Sequence, residues 1–282
     1  MTEPDPSLAA VSKTAVGMAL IRADESLRPD RLFDDPFAEA FLAASPDAFA
    51  DEDGSITDPA VLDAVFRVFS FHGVIRTRFF DDYLLAACAA GCHQVGLLAA
   101  GLDTRAFRLV WPPDVEVFEL DLPEALRFKD QVLAGRRLAP RCERTTVPVD
   151  LRDDWATTLT AAGFDATEPT VWLAEGLFVY LSAPEVAQVV GSISDLSAPQ
   201  SQVAFDDAAI ADAFLLAQAE TMPGMQQFST LWKDGLSDDT LTRLAQNAWD
   251  VATSDVRALA EAYHRSVPDH ARGRLITAVR TA

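Results

Sequence analysis

Short runs of apolar and β-branched residues, the first four each bounded by turn residues, set the strongest limit on what this chain can fold into. Four come first: "QVGLLAAG" from Gln94, "VEVFELD" to Asp121, "RTTVPVD" to Asp150 and "TVWLAEG" to Gly176. Helix-like patterns separate them, and strands alternating with helices predict a parallel sheet covered on both faces. Three further runs, "SQVAFDD" to Asp207, "WDVATSD" to Asp255 and "RLITAVR" to Arg280, complete the set. Residues 1–90 hold no convincing strand. There "RLFDDPFAEAFLAA" reads as a turn and then an amphipathic helix with Pro36 near its first turn, and Phe66, Phe69, Phe71, Phe79 and Phe80 read as helix core. The expected organisation is an N-terminal helical segment, residues 1–90, packing on a core of residues 91–282. Residues 208–247, between the fifth and sixth strands, are helical in pattern but punctuated by "MPGM" and "KDGLSDD". An insertion of that length at the ligand end of a sheet reads as a lid or substrate wall.

Charge narrows the choice of partners. A formal net charge of −20 repels a phosphate backbone. The densest basic cluster, Arg136, Arg137, Arg141 and Arg144, is interrupted by Pro140 and Glu143 and reads as a solvated face, so nucleic acid is not an expected partner. Three cysteines are an odd and sparse set that fits a reducing compartment, and a cytoplasmic protein is expected. Cys88 and Cys92 share a helical face next to His93, but no second ligand pair follows at zinc spacing. They read as buried small hydrophobes, and no metal is expected. The N-terminal "MTEPDPSLAAVSK" has neither the charged nor the apolar region of a signal peptide, and no apolar run reaches the roughly 18 residues of a membrane span.

The turn after the first strand carries the functional signal. In an open parallel sheet the ligand sits beyond the carboxyl ends of the strands. Ala99, Ala100 and Gly101 are small enough there for backbone to approach a ligand closely. The second strand ends in Glu119 and Asp121, and Asp121 lies twenty residues after Gly101, the separation at which an acid accepts from a ribose hydroxyl pair. A dinucleotide fingerprint needs a third glycine where this chain has Thr104. The pattern therefore favours an adenosine-type ligand without a pyrophosphate.

Together "QVGLLAAGLDTRAFRLVWP", "VFELDLPEALRFK", "VDLRDDW", "AEGLFVYL" and "RTRFFDDYL" resemble the leucine carboxyl methyltransferase family, in its bacterial branch of S-adenosyl-L-methionine-dependent methyltransferases. The resemblance runs from about Ser12 to about Arg280. It implies an α/β class I methyltransferase fold, a Rossmann-like three-layer sandwich whose seven-stranded, mostly parallel sheet has its last strand inserted antiparallel.

The resemblance also implies roles, position by position. Ala99 and Gly101 would floor the methionine part of the cofactor, Asp121 would take the ribose hydroxyls, and Asp150 with Leu151 would contact adenine. Glu175 would accept from the cofactor's amino group. Arg76 would take the carboxylate, since a guanidinium fork matches two oxygens, with Arg78 competing and Lys13 a second cation. Tyr180 is the candidate for an acceptor wall. Arg105 and Arg108 lie on one side of the first core helix and are expected to pair with carboxylates such as Asp103 or Glu119. The chain departs from the family pattern at three glycines: Ala99 in the turn, Ala248 before Trp249, and His264 between Tyr263 and Arg265.

Methyl transfer from a sulfonium is an in-line displacement, so alignment and exclusion of water are the protein's main tasks. A carboxylate acceptor is already ionised at neutral pH, whereas a phenol benefits from a base. His72 and His264 lie in segments that could reach an acceptor, while His93 precedes the first strand and His270 sits in a loop. Each reads as a surface or packing residue, and no general base is assigned. The leading expectation is an O-methyltransferase of a small-molecule carboxylate or hydroxyl in secondary metabolism, acting as monomer or homodimer. A nicotinamide-dependent dehydrogenase and a catalytically silent S-adenosylmethionine-binding protein are the alternatives.

Overall fold

A computed structural model describes residues 6–46, 48, 59–136, 139–207, 233, 235, 236 and 238–281. They fall into two compact units. One comprises the chain up to Arg78 together with Asp255–Gly273; the other runs from Phe79 through the fifth strand and includes Lys233–Ser254 and the last strand.

The first unit is helical. It holds α1 (Pro6–Ser26), α2 (Ala38–Ala43) and the first part of α3 (Pro59–Ala89), and the later segment adds a short helix, Val256–Ala262. Arginines tie its loops to its helices. Arg22 Nε donates to the fully buried Asp35 carboxylate at 2.8 Å. Arg265 reaches Glu25 Oε1 at 2.5 Å and Asp30 Oδ2 at 2.7 Å. Arg78 donates to the Leu32 carbonyl at 2.8 Å, and its guanidinium lies 5.9 Å from the centre of the Tyr263 ring.

The second unit is built on the sheet, and all seven expected strands form: β1 (Gln94–Leu98), β2 (Glu116–Asp121), β3 (Glu143–Pro148), β4 (Thr170–Ala174), β5 (Gln202–Asp206), β6 (Trp249–Asp255) and β7 (Arg274–Arg280). Their spatial order is β3-β2-β1-β4-β5-β7-β6. The pairs among β1 to β5 are parallel and β7 runs antiparallel to β5. β1 and β4 are buried along their whole length, which explains their unbroken apolar sequences. Adjacent residues of β2 identify the two covering layers, because successive strand side chains point to opposite faces. Glu119 meets Lys129 of α5 (Pro123–Ala134), while Phe118 packs edge-on against Phe164, which follows α6 (Trp155–Ala161). The second face also carries α7 (Ala183–Asp195), whose Val186, Val189, Val190 and Ile193 join the core with Trp155 and Trp172.

Gly96 of β1 lies opposite Trp172 of β4, and a Cβ there would stand 2.3 Å from the indole. The absent side chain makes room for the largest residue of that layer.

Two pairings differ from expectation. Glu119 is fully buried and is held by Lys129 Nζ at 2.8 Å and by Arg144 at 2.7 Å, rather than by Arg105 or Arg108. Arg144 therefore turns inward, over the Phe107 ring, instead of joining a solvated basic face. Such a buried carboxylate persists because two cations, one of them also hydrogen-bonded to it, offset its desolvation. Cys88 and Cys92 are buried, and burial pushes their thiols up to about 12 and about 11, in keeping with small core residues.

Of residues 208–247, only 233, 235, 236 and 238–247 are described, the last forming a helix, Asp238–Gln246. The rest of the expected lid lies outside the described residues. Where the chain returns, the Lys233 N–H donates to the Val179 carbonyl at 2.6 Å, beside the short 3-10 helix Phe178–Tyr180. Among the described residues no helix is long and apolar enough to cross a membrane.

Candidate active site

Because β1 to β5 are parallel, the loops after their carboxyl ends emerge at one end of the sheet. The strand order reverses between β1 and β4, the switch point at which open parallel sheets bind their ligands. The turn after β1 enters it with two left-handed residues, Ala99 at φ 53° and Gly101 at φ 46°. Alanine resists that conformation, and the turn is nonetheless the one expected of glycine.

Hydrogen bonds to the neighbouring strand fix the turn. Ala100 N–H donates to the Leu120 carbonyl at 3.0 Å. Gly101 N–H donates to Asp121 Oδ2 at 2.5 Å, while Asp121 Oδ1 accepts from Leu122 N–H at 2.6 Å. Burial pushes the Asp121 carboxyl up, and these two N–H donors hold it back only in part. The Asp121 carbonyl in turn accepts from Val149 N–H at 2.9 Å, which brings the loop after β3 into the same assembly.

That loop carries Asp150 and Leu151. Leu151 is buried in the core layer. Asp150 is clamped by Arg152, with Nε at 2.9 Å from Oδ1 and Nη2 at 2.5 Å from Oδ2. This side-chain pairing holds the Asp150 carboxyl below the usual carboxylate range. Arg152 escaped the sequence reading, although its place two residues after Asp150 offered a local signal.

Glu175 follows the last residue of β4, on the other side of β1. Its carboxylate is bound by Arg105 Nη1 at 2.9 Å. Arg105, the first residue of the short α4 (Arg105–Arg108), is a buried hub. Its Nε donates to Asp81 Oδ1 at 2.7 Å and its Nη1 also pairs with Asp103. Arg108 adds a second cation on Asp81, at 2.5 Å. The expected pairing with Asp103 is present, whereas Asp81 was not singled out; its signal was its place in "RTRFFDDYL", which was read only as a motif. Burial would raise the Asp103 carboxyl, but Arg105, then Lys129 and Arg108, outweigh it and hold the group at about 2.

Tyr180 ends the 3-10 helix and is half-buried. Of the remaining candidates, Gly101 and Asp121 are joined directly, Ala99 lies in the same turn, Asp150 and Leu151 follow the Val149 that bonds Asp121, and Glu175 is tied to that turn through Arg105 and Asp103. Lys13 and Arg76 belong to the helical unit. Lys13 lies on α1 and Arg76 is half-buried on α3.

The histidines separate by place. In the sheet-bearing unit His93 is exposed and stands at the amino end of β1, away from the turn. In the helical unit His72 is buried, with Nε2 at 2.5 Å from the Arg272 carbonyl, and His264 is exposed at φ 56°.

Comparison with known proteins places these features in context. Residues 15–194 match a family model described as leucine carboxyl methyltransferase. A Parafrankia protein named "Putative S-adenosyl-L-methionine-dependent methyltransferase" is 45% identical over 264 residues, covering 92% of this chain and 83% of its own. One of the same name from Saccharopolyspora erythraea is 41% identical over 283 residues, covering 97% and 96%. Among solved structures, a DUF574 family protein from Streptomyces avermitilis superposes with a TM-score of 0.55 at 16% identity, covering 83% of this chain and 94% of that one, a likeness of fold.

Proposed function

Since the chain belongs to the leucine carboxyl methyltransferase family and is an S-adenosyl-L-methionine-dependent methyltransferase of class I fold, we propose that it methylates an oxygen of a small molecule of secondary metabolism, a carboxylate ahead of a hydroxyl. The observation that carries the choice of acceptor is the position of His93. It is the one histidine of the sheet-bearing unit, and it stands at the amino ends of the strands while Gly101, Asp121 and Glu175 stand at the carboxyl ends. A carboxylate acceptor is ionised at neutral pH and reacts without a base.

The donor set suits the methyl donor. Asp121 offers a carboxylate to a neutral diol, a charge-assisted pair, from a strand end already fastened to the Gly101 turn. Ala99 and Gly101 keep the turn low enough for an amino-acid tail to lie on it. Asp150 and Leu151 supply an acceptor oxygen and apolar bulk for adenine, and Glu175 an anion for an ammonium. Lys13 and Arg76 are kept as the cations for the carboxylate on the family resemblance alone, and Arg78 is held by the Leu32 carbonyl and the Tyr263 ring. When bound, the cofactor supplies an electrophilic methyl group on a sulfonium. The chain's part is to hold and orient donor and acceptor, with Tyr180 as a wall for the latter, and to keep water away.

The test is transfer of labelled methyl to a panel of aliphatic carboxylates, aromatic carboxylates and phenols. The expected product is a methyl ester, whose label is released by mild alkali, formed at a rate nearly flat from about pH 6 to 8, since the acceptor carries no proton to lose there. A base-stable ether formed faster with rising pH would reassign the acceptor to a hydroxyl. Cofactor bound with no acceptor consumed would indicate a silent binding protein.

A further inference from the structure

We propose that Arg105 is a positioning residue for the methyl donor: it acts through Glu175, holding that carboxylate in the orientation in which it receives the donor's ammonium group. The proposal rests on the assignment of Glu175 to the amino-acid end of the cofactor.

Three elements meet at this one guanidinium. Asp81 comes from α3, Asp103 from the turn after β1, and Glu175 from the loop after β4. Arg105 is only 3% exposed, whereas the Glu175 side chain is 16% exposed. The arginine is thus sunk behind the carboxylate, which faces the more open side. A planar fork can serve several carboxylates at fixed angles, which an ammonium on a flexible stem cannot. Asp103 also accepts from the Arg105 backbone N–H at 2.6 Å, and Asp81 is held again by Arg108, so the far side of the hub is anchored by more than the contact with Glu175. A side chain so fixed sets the rotamer of the less buried partner.

The geometry also explains why a buried cation stands next to a group expected to receive another cation. Arg105 Nη1 is shared between Asp103 and Glu175, so Glu175 is oriented by an arginine that its neighbours Asp81 and Asp103 also neutralise. A carboxylate can accept several hydrogen bonds on its two oxygens, so being held by Arg105 is compatible with receiving a ligand N–H.

The experiment compares two ligands by calorimetry: S-adenosylhomocysteine, which has the amino-acid portion, and 5′-methylthioadenosine, which lacks it. Arg105→Met and Arg105→Lys should each weaken S-adenosylhomocysteine about tenfold or more while changing methylthioadenosine less than about twofold, the loss expected of one misplaced charged hydrogen bond. Lysine should not rescue, because it cannot span the three acids. Glu175→Gln should give the same selective loss, and the double variant Arg105→Lys with Glu175→Gln should lose no more than Glu175→Gln alone. Equal weakening of both ligands, or additive losses in the double variant, would overturn the positioning role, as would wild-type affinity in Arg105→Lys. If Arg105→Met does not fold, Arg105→Lys decides by the same criteria. Glu175→Gln with unchanged affinity would instead strike the assignment of Glu175 itself, and failure of the wild-type chain to bind S-adenosylhomocysteine would strike the cofactor site as a whole.

Discussion

Gly101 and Asp121, twenty residues apart, are joined by a 2.5 Å hydrogen bond from the backbone N–H of the first to Oδ2 of the second. Asp121→Ala removes that acceptor and the one serving Leu122 N–H. Affinity for S-adenosylhomocysteine should fall by about 1 to 3 kcal/mol through lost charged hydrogen bonds, and the apo protein should also lose stability as two N–H groups go unpaired. Calorimetry and urea unfolding read the two effects; an unchanged dissociation constant removes Asp121 from the site.

Ala99 holds φ 53°, a conformation in which its Cβ crowds the following carbonyl. Relief of about 1 to 2 kcal/mol should match or exceed the roughly 0.5 to 1 kcal/mol entropic cost of glycine, so Ala99→Gly should be neutral to stabilising by up to about 1.5 kcal/mol. The urea midpoint measures this, and a clear loss of stability would show that the alanine methyl on the core matters more than the strain.

Gly96→Ala should be the most disruptive small change in the sheet. The new methyl would stand 2.3 Å from Trp172, itself fully buried. Overpacking of this kind costs about 1 to 3 kcal/mol, and thermal unfolding should shift down accordingly. Melting at the wild-type temperature would mean that the indole can move aside.

Asp103 provides a pH signature for the buried hub. Its folded value of about 2 lies below the ordinary aspartate value of 3.8. The sign is that of a depressed acid: stabilisation is complete above the unfolded value and disappears as pH falls through about 2. Arg105→Met leaves burial uncompensated by its strongest opposing charge, so the stability gap between wild type and variant should be widest from about pH 5 to 7 and shrink toward pH 2. Denaturant unfolding across that range tests it; a constant gap would show that the pair does not titrate with folding.

Arg76 and Arg78 should separate by ligand. Arg76→Ala should weaken S-adenosylhomocysteine more than adenosine, because only the former carries the carboxylate. Arg78→Ala should instead lower stability, through the Leu32 carbonyl and the Tyr263 ring, with little discrimination between ligands. Equal losses for both ligands in Arg76→Ala would move the carboxylate contact elsewhere.

How legible the molecule was in its sequence depended on the range of the interactions involved. The central strands β1 and β4 could be read because burial on both faces leaves a local mark, a run such as "VGLL" of β1. The meeting of Asp121 with Gly101 was readable because the β1–α4–β2 unit fixes their separation along the chain. Asp81 was not, because its partner Arg105 lies twenty-four residues later on another element and no periodicity links them. Glu119 and Arg144 misled for the same reason: Glu119 was expected to pair with Arg105 or Arg108 and the basic cluster to face solvent, and only the fold brings those two together in the interior.

The three positions at which the family resemblance implies a glycine all have a left-handed backbone: Ala99, Ala248 and His264 have φ of 53°, 63° and 56°. Each turn thus has the shape that glycine makes easy, built with a residue that resists it. A glycine introduced at any of the three would meet a backbone it already prefers, so a segment can be joined there without bending the main chain.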